Sequence, residues 1–257
     1  MLRAILLYGL THGRKNPRAA RARRMTAFAT AARPATLARP VVHAALIELI
    51  ATAFLLIAVV GSGIMAERLC AGNVGLALLA NAIATGGALV ALILAFGPQS
   101  GAHMNPVVTL AAAATEGLRW HVVPAYIAAQ ITGAILGVWL AHLMFGLPIL
   151  QLSQHARSGI GVWVAEIVAT FGLLLVIWGC RAHREPVTAL AVAGYITGAY
   201  WFTASTSFAN PAVTIARALS NTFAGIRPID APGFIVAQFV ALALALPLLR
   251  RAPAAGG

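Results

Sequence analysis

Two asparagine-proline pairs are the residues of this chain whose types and spacing point to chemistry. Asn105-Pro106 and Asn210-Pro211 each interrupt an apolar stretch, and they continue alike, with Val-Val-Thr-Leu-Ala after the first and Ala-Val-Thr-Ile-Ala after the second. An asparagine side chain can cap the free amides of a helix, and proline at the first helical position sacrifices no hydrogen bond. Each pair therefore predicts the start of a helix whose N-terminus carries partial positive charge, which disfavours cations.

The apolar composition sets the environment of these two helices. Hydrophobic residues make up 60% and charged residues 9% of the 257 residues, and the mean hydropathy is +0.87. This composition excludes a water-soluble globule of ordinary surface, so the chain is predicted to be an integral membrane protein. Apolar stretches of about 20 residues predict six membrane spans, at 44–65, 75–97, 122–146, 159–180, 186–203 and 233–249.

Two further apolar stretches are too short to cross a bilayer. Residues 105–116 and 210–221 each form about 12 residues, or roughly 18 Å of helix. One follows the second span and the other follows the fifth, so they enter from opposite faces and meet with their N-termini near the midplane. Two three-span halves, each with a half-helix, predict inverted repeats over 43–146 and 159–251.

These features resemble the major intrinsic proteins, the family of aquaporins and aquaglyceroporins. The resemblance rests on the paired motifs, on Ser-Gly-Ala-His-Met before Asn105, and on Glu48 and Glu166, one in the first span of each half. It implies an all-α, aquaporin-like fold of six transmembrane helices and two re-entrant half-helices. It also implies a homotetramer in which each protomer has its own pore, with the side-chain amides of Asn105 and Asn210 donating hydrogen bonds to solute at the constriction.

Several polar residues are assigned structural roles. A carboxylate within an apolar span is costly unless it is paired or hydrogen-bonded, and the resemblance implies that Glu48 and Glu166 support the half-helix loops. His103 has no Cys, Asp or Glu at ligand spacing, so no metal site is expected. The resemblance makes it a buried histidine that hydrogen-bonds loop backbone. Gln130 and Gln238, in the last span of each half, are expected to pack or to form hydrogen bonds.

The expected selectivity filter departs from the family pattern. By family spacing from the two asparagines, the ring positions outside them are Thr85, Gly198, Ser207 and Val213, and most relatives carry arginine at the last position. Val213 leaves the ring without fixed charge, while Thr85 and Gly198 stand where relatives often have an aromatic residue or histidine. The resemblance therefore implies a widened, partly apolar filter that passes water and small uncharged polyols, urea-like amides or metalloid hydroxides such as arsenite.

Arg217 stands four residues after Val213, on the same helical face and about 6 Å nearer the outer mouth. Two interpretations of this residue are open. The guanidinium group could line an outer vestibule, where it would partly replace the lost charge and admit small oxyanions. Alternatively, it could be a snorkelling surface arginine at the end of the half-helix.

Two pairs of glycines are spaced for close helix packing. Gly133 with Gly137 and Gly194 with Gly198 are each four residues apart, which allows two helices to approach closely. Gly198 is expected to serve both packing and the filter, because it has no side chain.

The basic residues are concentrated near the N-terminus. The chain has 18 basic and six acidic residues, and nine of the basic ones lie between Arg3 and Arg39. A cytoplasmic N-terminus places 14 basic residues inside and four outside, which favours cytoplasmic N- and C-termini. We expect a disordered tail at 1–42, a channel domain over 43–251 and a short tail at 252–257, in a bacterial inner membrane.

Two other classes of function are weighed against the channel. Inverted repeats with broken helices also build secondary transporters, here for a small solute or an oxyanion, but no cluster of Asp, Glu, Ser and Thr marks an ion-coupling site. An enzyme is disfavoured because motifs such as Gly-x-Ser-x-Gly and His-Glu-x-x-His are absent. We expect no cofactor and no nucleic-acid partner; the expected partners are the lipid bilayer, small neutral solutes and water.

Overall fold

Eight α-helices and one short 3-10 turn form the regular structure of the described chain. The computed structural model describes residues 41–181, 183 and 185–251, and these contain no β-strand. The predicted tails, 1–42 and 252–257, lie outside these residues except for the first two residues of α1. The helices are α1 (Val41–Leu69), α2 (Val74–Ser100), α3 (Pro106–Thr115), the 3-10 turn (Trp120–Val122), α4 (Val123–Met144), α5 (Ile160–Cys180), α6 (Glu185–Phe202), α7 (Pro211–Arg217) and α8 (Ala231–Arg251).

The long helices match the predicted membrane spans. Five segments of the described chain are long and apolar enough to cross a bilayer: α1, α2, α5, the main part of α8, and Trp120–Met144, which joins the 3-10 turn to α4. The span predicted at 186–203 corresponds to α6, an 18-residue helix that is not among these five. The all-α membrane architecture predicted from the sequence is confirmed.

The helix contacts follow the pattern of two equivalent halves. α1 packs against α2 and α4 in the first half, and α5 packs against α6 and α8 in the second. Between the halves, α2 packs against α6, α4 against the short helix α7, and α8 against the short helix α3. Exchanging the first four helices for the last four leaves this set of contacts unchanged, as expected of an inverted repeat.

The two short helices begin where the sequence predicts, and the second ends earlier. α3 has 10 residues between its caps Asn105 and Glu116, which matches the predicted 105–116, whereas α7 has seven, so the predicted length is wrong for α7. Carbonyl groups at the end of α7 bond outside the helix. Ile226 donates its N–H to the Arg217 carbonyl at 3.4 Å, and Ser153 donates its N–H to the Ala218 carbonyl at 3.0 Å. These tertiary hydrogen bonds replace the next turn of helix.

Gly133 and Gly137 bring α4 against the backbone of α1. A Cβ atom at Gly133 would overlap the carbonyl oxygen of Leu49, and a Cβ atom at Gly137 would overlap that of Ala53. Both positions therefore require glycine, and the predicted close approach occurs at this pair.

The second glycine pair makes no comparable contact within the described chain. A Cβ atom at Gly194 would meet no described atom within 4 Å, and one at Gly198 would meet only the ring of Phe202, at 3.5 Å. The α2 helix instead approaches α6 at Thr197, which faces Gly86. The packing prediction is wrong for Gly194 and Gly198, because the helix contacts of α6 lie on another of its faces.

Gly137→Ala is expected to destabilise the protein, because its methyl group would push α4 away from the Ala53 carbonyl. Overpacking of this kind costs about 1–3 kcal/mol, so thermal unfolding of the purified protein in detergent should begin several degrees lower. Gly194→Ala is the matched control, since its methyl group has open space. Equal unfolding temperatures for the two variants would contradict the close contact.

Candidate functional site

The two loops that precede α3 and α7 adopt the same unusual backbone. In each loop the residues one, three and four positions before the asparagine have left-handed φ angles, between 46° and 94°. Residues other than glycine rarely adopt such angles unless their surroundings hold them. The residues are Gly101, Ala102 and Met104 in the first loop and Thr206, Ser207 and Ala209 in the second.

A buried glutamate holds the first loop by accepting its N–H groups. Glu48 accepts hydrogen bonds from the backbone N–H of His103 at 2.9 Å and of Met104 at 2.7 Å. The Ser100 hydroxyl donates a third at 2.6 Å and the Gln130 side chain a fourth at 2.7 Å. Each carboxylate oxygen accepts two of these bonds, so the glutamate is fully engaged in supporting the loop.

The second half repeats this arrangement. Glu166 accepts hydrogen bonds from the backbone N–H of Phe208 and of Ala209, both at 2.8 Å, and from the Gln238 side chain at 2.7 Å. In both halves the glutamine also donates to a threonine hydroxyl of the half-helix, and this hydroxyl donates to the asparagine carbonyl. Each half-helix is therefore anchored by one buried chain of hydrogen bonds.

The side chains of Asn105 and Asn210 join the two loops. Asn105 Nδ2 donates to the Ala209 carbonyl and Asn210 Nδ2 donates to the Met104 carbonyl, each at 2.7 Å. Their Oδ1 atoms accept backbone N–H groups at the starts of α3 and α7. Each asparagine therefore caps its own helix and bonds the opposite loop.

These reciprocal bonds bring the N-termini of the two half-helices together, with Pro106 and Pro211 as their first residues. The partial positive charges of both helix ends are concentrated there. Each asparagine amide nitrogen carries two hydrogens and uses one for the loop carbonyl, so one donor of each remains for a solute. The arrangement can bind oxygen atoms through aligned donors and disfavours a cation.

The four predicted filter positions come from α2, α6, the second loop and α7. Thr85, Ser207 and Val213 are buried, and the Ser207 hydroxyl has no hydrogen-bond partner within the described chain. Val213 donates its N–H to Asn210 Oδ1 at 3.3 Å, which ties this position to the asparagine that caps α7. Gly198 is only half-buried.

Tyr200 lies beside the predicted filter positions, although the sequence did not indicate this. Its hydroxyl lies 3.2 Å from the Thr85 hydroxyl, so α6 reaches the predicted filter position on α2 through this side chain. Tyr200 follows Gly198 by two residues, which places it about 200° around the helix. A tyrosine two residues from the predicted filter position Gly198 could have drawn attention to this side chain. Its partner Thr85 is identified only by the packing of α6 on α2.

Arg217 is buried against the second loop. Its side chain is 2% exposed, its Nε donates to the Ala224 carbonyl, and its guanidinium carbon lies 3.4 Å from the centre of the Phe208 ring. A snorkelling arginine at the surface is therefore excluded. The guanidinium group instead stacks on the residue two positions before Asn210.

His103 differs from its predicted role. Its side chain is half-buried, and its ring Nδ1 lies 3.1 Å from the Thr109 hydroxyl instead of bonding loop backbone. Phe208 occupies the equivalent position before the second asparagine, so an imidazole in one half is matched by an apolar ring in the other. Thr109, the partner of His103, lies on α3 one turn beyond Asn105, so the imidazole of the loop contacts the half-helix that follows it.

Sequence comparisons relate this chain to known proteins. A family model described as major intrinsic protein matches residues 37–202. The aquaglyceroporin AqpS of Rhizobium meliloti (strain 1021) is 54% identical over 204 residues, which cover 79% of this chain and 87% of that protein. The aquaporin NIP1-4 of Oryza sativa subsp. japonica is 35% identical over 185 residues, which cover 68% of this chain and 65% of that protein.

A solved structure with a similar fold is the X-ray structure of the aquaglyceroporin from Plasmodium falciparum. It aligns with a TM-score of 0.60 and 21% sequence identity, and the alignment covers 82% of this chain and 100% of that chain. At this identity the likeness concerns the fold alone, and it agrees with the all-helical architecture described above.

Proposed function

The chain belongs to the major intrinsic protein family, whose members are channels and not enzymes, and we propose that it is a passive channel for water and small uncharged solutes. The observation that carries this proposal is the reciprocal bonding of Asn105 and Asn210 at the meeting of two helix N-termini. One free amide donor from each asparagine, beside concentrated positive partial charge, suits a solute that has hydroxyl or carbonyl oxygens and no positive charge.

We propose that Thr85, Gly198, Ser207 and Val213 form a filter that is wider than one with arginine at position 213. The apolar Val213 side chain supports this, as does the Ser207 hydroxyl, which has no partner in the described chain and can bond a solute. The solutes proposed are glycerol-like polyols, urea-like amides and uncharged metalloid hydroxides such as arsenous acid, which displays hydroxyl groups as a polyol does. The AqpS relative is named an aquaglyceroporin, which agrees with this class.

Passive flux is favoured over coupled transport by the two glutamates within the spans. Glu48 accepts four hydrogen bonds and Glu166 accepts at least three. In the described chain these come from the half-helix loops, from the Ser100 hydroxyl at the end of α2 and from glutamine side chains. A coupling carboxylate must exchange its partners during a transport cycle. Carboxylates that hold the loops in a left-handed backbone are poorly suited to that exchange.

We also propose that the protein is a homotetramer in a bacterial inner membrane, with both termini in the cytoplasm. Large apolar side chains on several helices are more than half exposed in the single chain, which suits contact with lipid or with another protomer. The excess of basic residues near the N-terminus supports the orientation. Examples of the exposed side chains are Phe54, Leu143, Trp201 and Leu244.

Stopped-flow light scattering of proteoliposomes tests the proposed function. Vesicles that carry the purified chain are shrunk with an impermeant osmolyte, glycerol, urea or arsenous acid, and re-swelling is followed without any ion gradient. We expect rapid re-swelling in the permeant solutes, at rates that rise linearly with solute concentration. Water flux without solute flux would contradict the proposed filter, and solute flux that saturates and needs an ion gradient would favour a transporter.

A further inference from the structure

Two arginines lie on one phenylalanine ring beside the second half-helix loop. The guanidinium carbon of Arg217 is 3.4 Å and that of Arg157 is 5.3 Å from the centre of the Phe208 ring. Arg217 ends α7, whereas Arg157 belongs to the segment between α4 and α5, so two distant parts of the chain converge here. Such cation–π contacts hold guanidinium groups at a defined place.

Neutral oxygens accept the hydrogen bonds of both side chains. Arg157 Nε donates to the Gly225 carbonyl at 2.7 Å, and Arg217 Nε donates to the neighbouring Ala224 carbonyl. Arg157 Nη1 also lies 3.5 Å from the Thr206 hydroxyl. These acceptors fix the positions of the guanidinium groups without cancelling their charges.

No carboxylate forms an ion pair with either arginine in the described part of the chain. The ion pair found there joins Arg227 to Asp230 at 2.9 Å. The hydrogen bond from Arg227 lowers the pKa of Asp230, so this carboxylate stays ionised and paired with Arg227. Asp230 meets Arg157 through the backbone N–H, at 2.8 Å.

Glu166 is a further carboxylate whose charge acts on both guanidinium groups, over a longer range. Its oxygens are already engaged by the backbone of the second loop and by Gln238. The two guanidinium groups therefore carry two positive charges, and the carboxylate of Glu166 forms no ion pair with either of them. The net charge around the Phe208 ring is positive.

The two arginines lie next to two of the predicted filter positions, Ser207 and Val213. Arg217 follows Val213 by four residues, which is one turn along α7. Arg157 reaches Thr206, the residue before Ser207, whose buried hydroxyl has no partner in the described chain. Both guanidinium groups therefore border the loop and the half-helix that carry Ser207 and Val213.

We propose that Arg157 and Arg217 are the charge filter of the channel, while Val213 sets the width of the opening. The inference rests on the proposed function, because it assigns specificity residues to the same pore. In a narrow passage that excludes most water, a fixed positive charge repels a cation with little screening, whereas a neutral solute of the same shape is not repelled. Charge selection and size selection are then made by different residues.

The test compares urea with guanidinium, a planar cation of nearly the same size. Uptake of each labelled solute is measured in proteoliposomes of the full chain, with potassium and valinomycin holding the membrane potential at zero. The wild-type protein should take up urea and exclude guanidinium. Arg157→Gln combined with Arg217→Gln should raise the ratio of guanidinium to urea permeability by about tenfold or more, and the ratio cancels differences in the amount of active protein.

Two control variants separate charge from structure. Arg227→Gln combined with Asp230→Asn removes the neighbouring ion pair, which carries no net charge, so the permeability ratio should stay at the wild-type value. Arg217→Lys keeps a positive charge at the end of α7 and should keep guanidinium excluded.

Each outcome bears on a different claim. A double variant that takes up urea and still excludes guanidinium would overturn the charge filter and leave the proposed channel intact, whereas wild-type vesicles that take up neither urea nor glycerol would overturn the proposed function. Should the double variant not fold, Arg157→Gln alone decides, because Arg157 is half-buried in a connecting segment. For Arg157→Gln we expect the ratio of guanidinium to urea permeability to rise about threefold. An unchanged ratio would contradict a charge filter formed by Arg157 and Arg217.

Discussion

Val213→Arg is expected to reduce glycerol uptake about tenfold or more while water flux falls much less. Val213 is 5% exposed and is tied to Asn210 through its N–H, one turn inside Arg217 on the same half-helix. A guanidinium group at this position is longer than the valine side chain and narrows the proposed ring, which matters more for a polyol than for water. Stopped-flow re-swelling in glycerol and in an impermeant osmolyte measures both fluxes on one preparation.

Val213→Leu is the matched control for this substitution. It adds bulk without charge or a hydrogen-bond donor, so it should reduce glycerol uptake less than the arginine does. Equal proportional losses of glycerol and water in Val213→Arg would place the residue outside the filter. Glycerol uptake that is unchanged by the arginine would show that another residue sets the width of the opening.

The meeting of the two half-helix N-termini could be predicted from the sequence because its signals are local. An asparagine that caps a helix and a proline that opens it act within a few residues of each other, and α3 and α7 begin at Pro106 and Pro211. The repetition of the motif in two apolar halves then indicates that the two helix starts meet. The apolar spans could also be predicted from local sequence, because a run of about 20 apolar residues is typical of a helix that crosses a bilayer.

The surroundings of the filter could not be predicted in this way, because their contacts join distant parts of the chain. Tyr200 reaches Thr85 across two helices, and Arg157 reaches Phe208 from a connecting segment with no periodic pattern. Arg217 left two interpretations open, since its spacing from Val213 fixes a helical face but not whether lipid, solvent or an aromatic ring covers that face. Burial against Phe208 excludes the snorkelling surface arginine, and the vestibule role stays a proposal.

The predicted length of α7 and the predicted close packing at Gly194 and Gly198 are wrong for a related physical reason. The residues after Arg217 are compatible with further helix. The Arg217 carbonyl nevertheless accepts a hydrogen bond from Ile226, and the Ala218 carbonyl accepts one from Ser153. The spacing of Gly194 and Gly198 allows close packing, but spacing alone does not supply a helix to pack against. In each case a tertiary partner decides between conformations that local sequence permits equally.

Glu166→Gln is expected to abolish solute flux and to lower the free energy of unfolding by about 2 kcal/mol or more. Glu166 Oε1 accepts the N–H of Phe208, and Oε2 accepts the N–H of Ala209 and the Gln238 amide. An amide in place of the carboxylate turns an NH₂ group towards at least one of these donors. A buried N–H then loses its acceptor, and the left-handed loop before Asn210 loses its support. Thermal unfolding in detergent and urea uptake in proteoliposomes measure the two effects.

The pattern of loss in the glutamate variants distinguishes a loop support from a proton carrier. Glu48→Gln should behave like Glu166→Gln, because both carboxylates hold equivalent loops, whereas Glu67→Gln changes an exposed residue and should leave stability and uptake unchanged. In a proton-coupled transporter, a neutral glutamine would instead abolish gradient-driven accumulation and leave a folded protein that still exchanges solute. A stable Glu166→Gln protein with that behaviour would contradict the structural role. Equal losses of stability and flux in both halves would follow only if the two buried carboxylates hold the pore in shape.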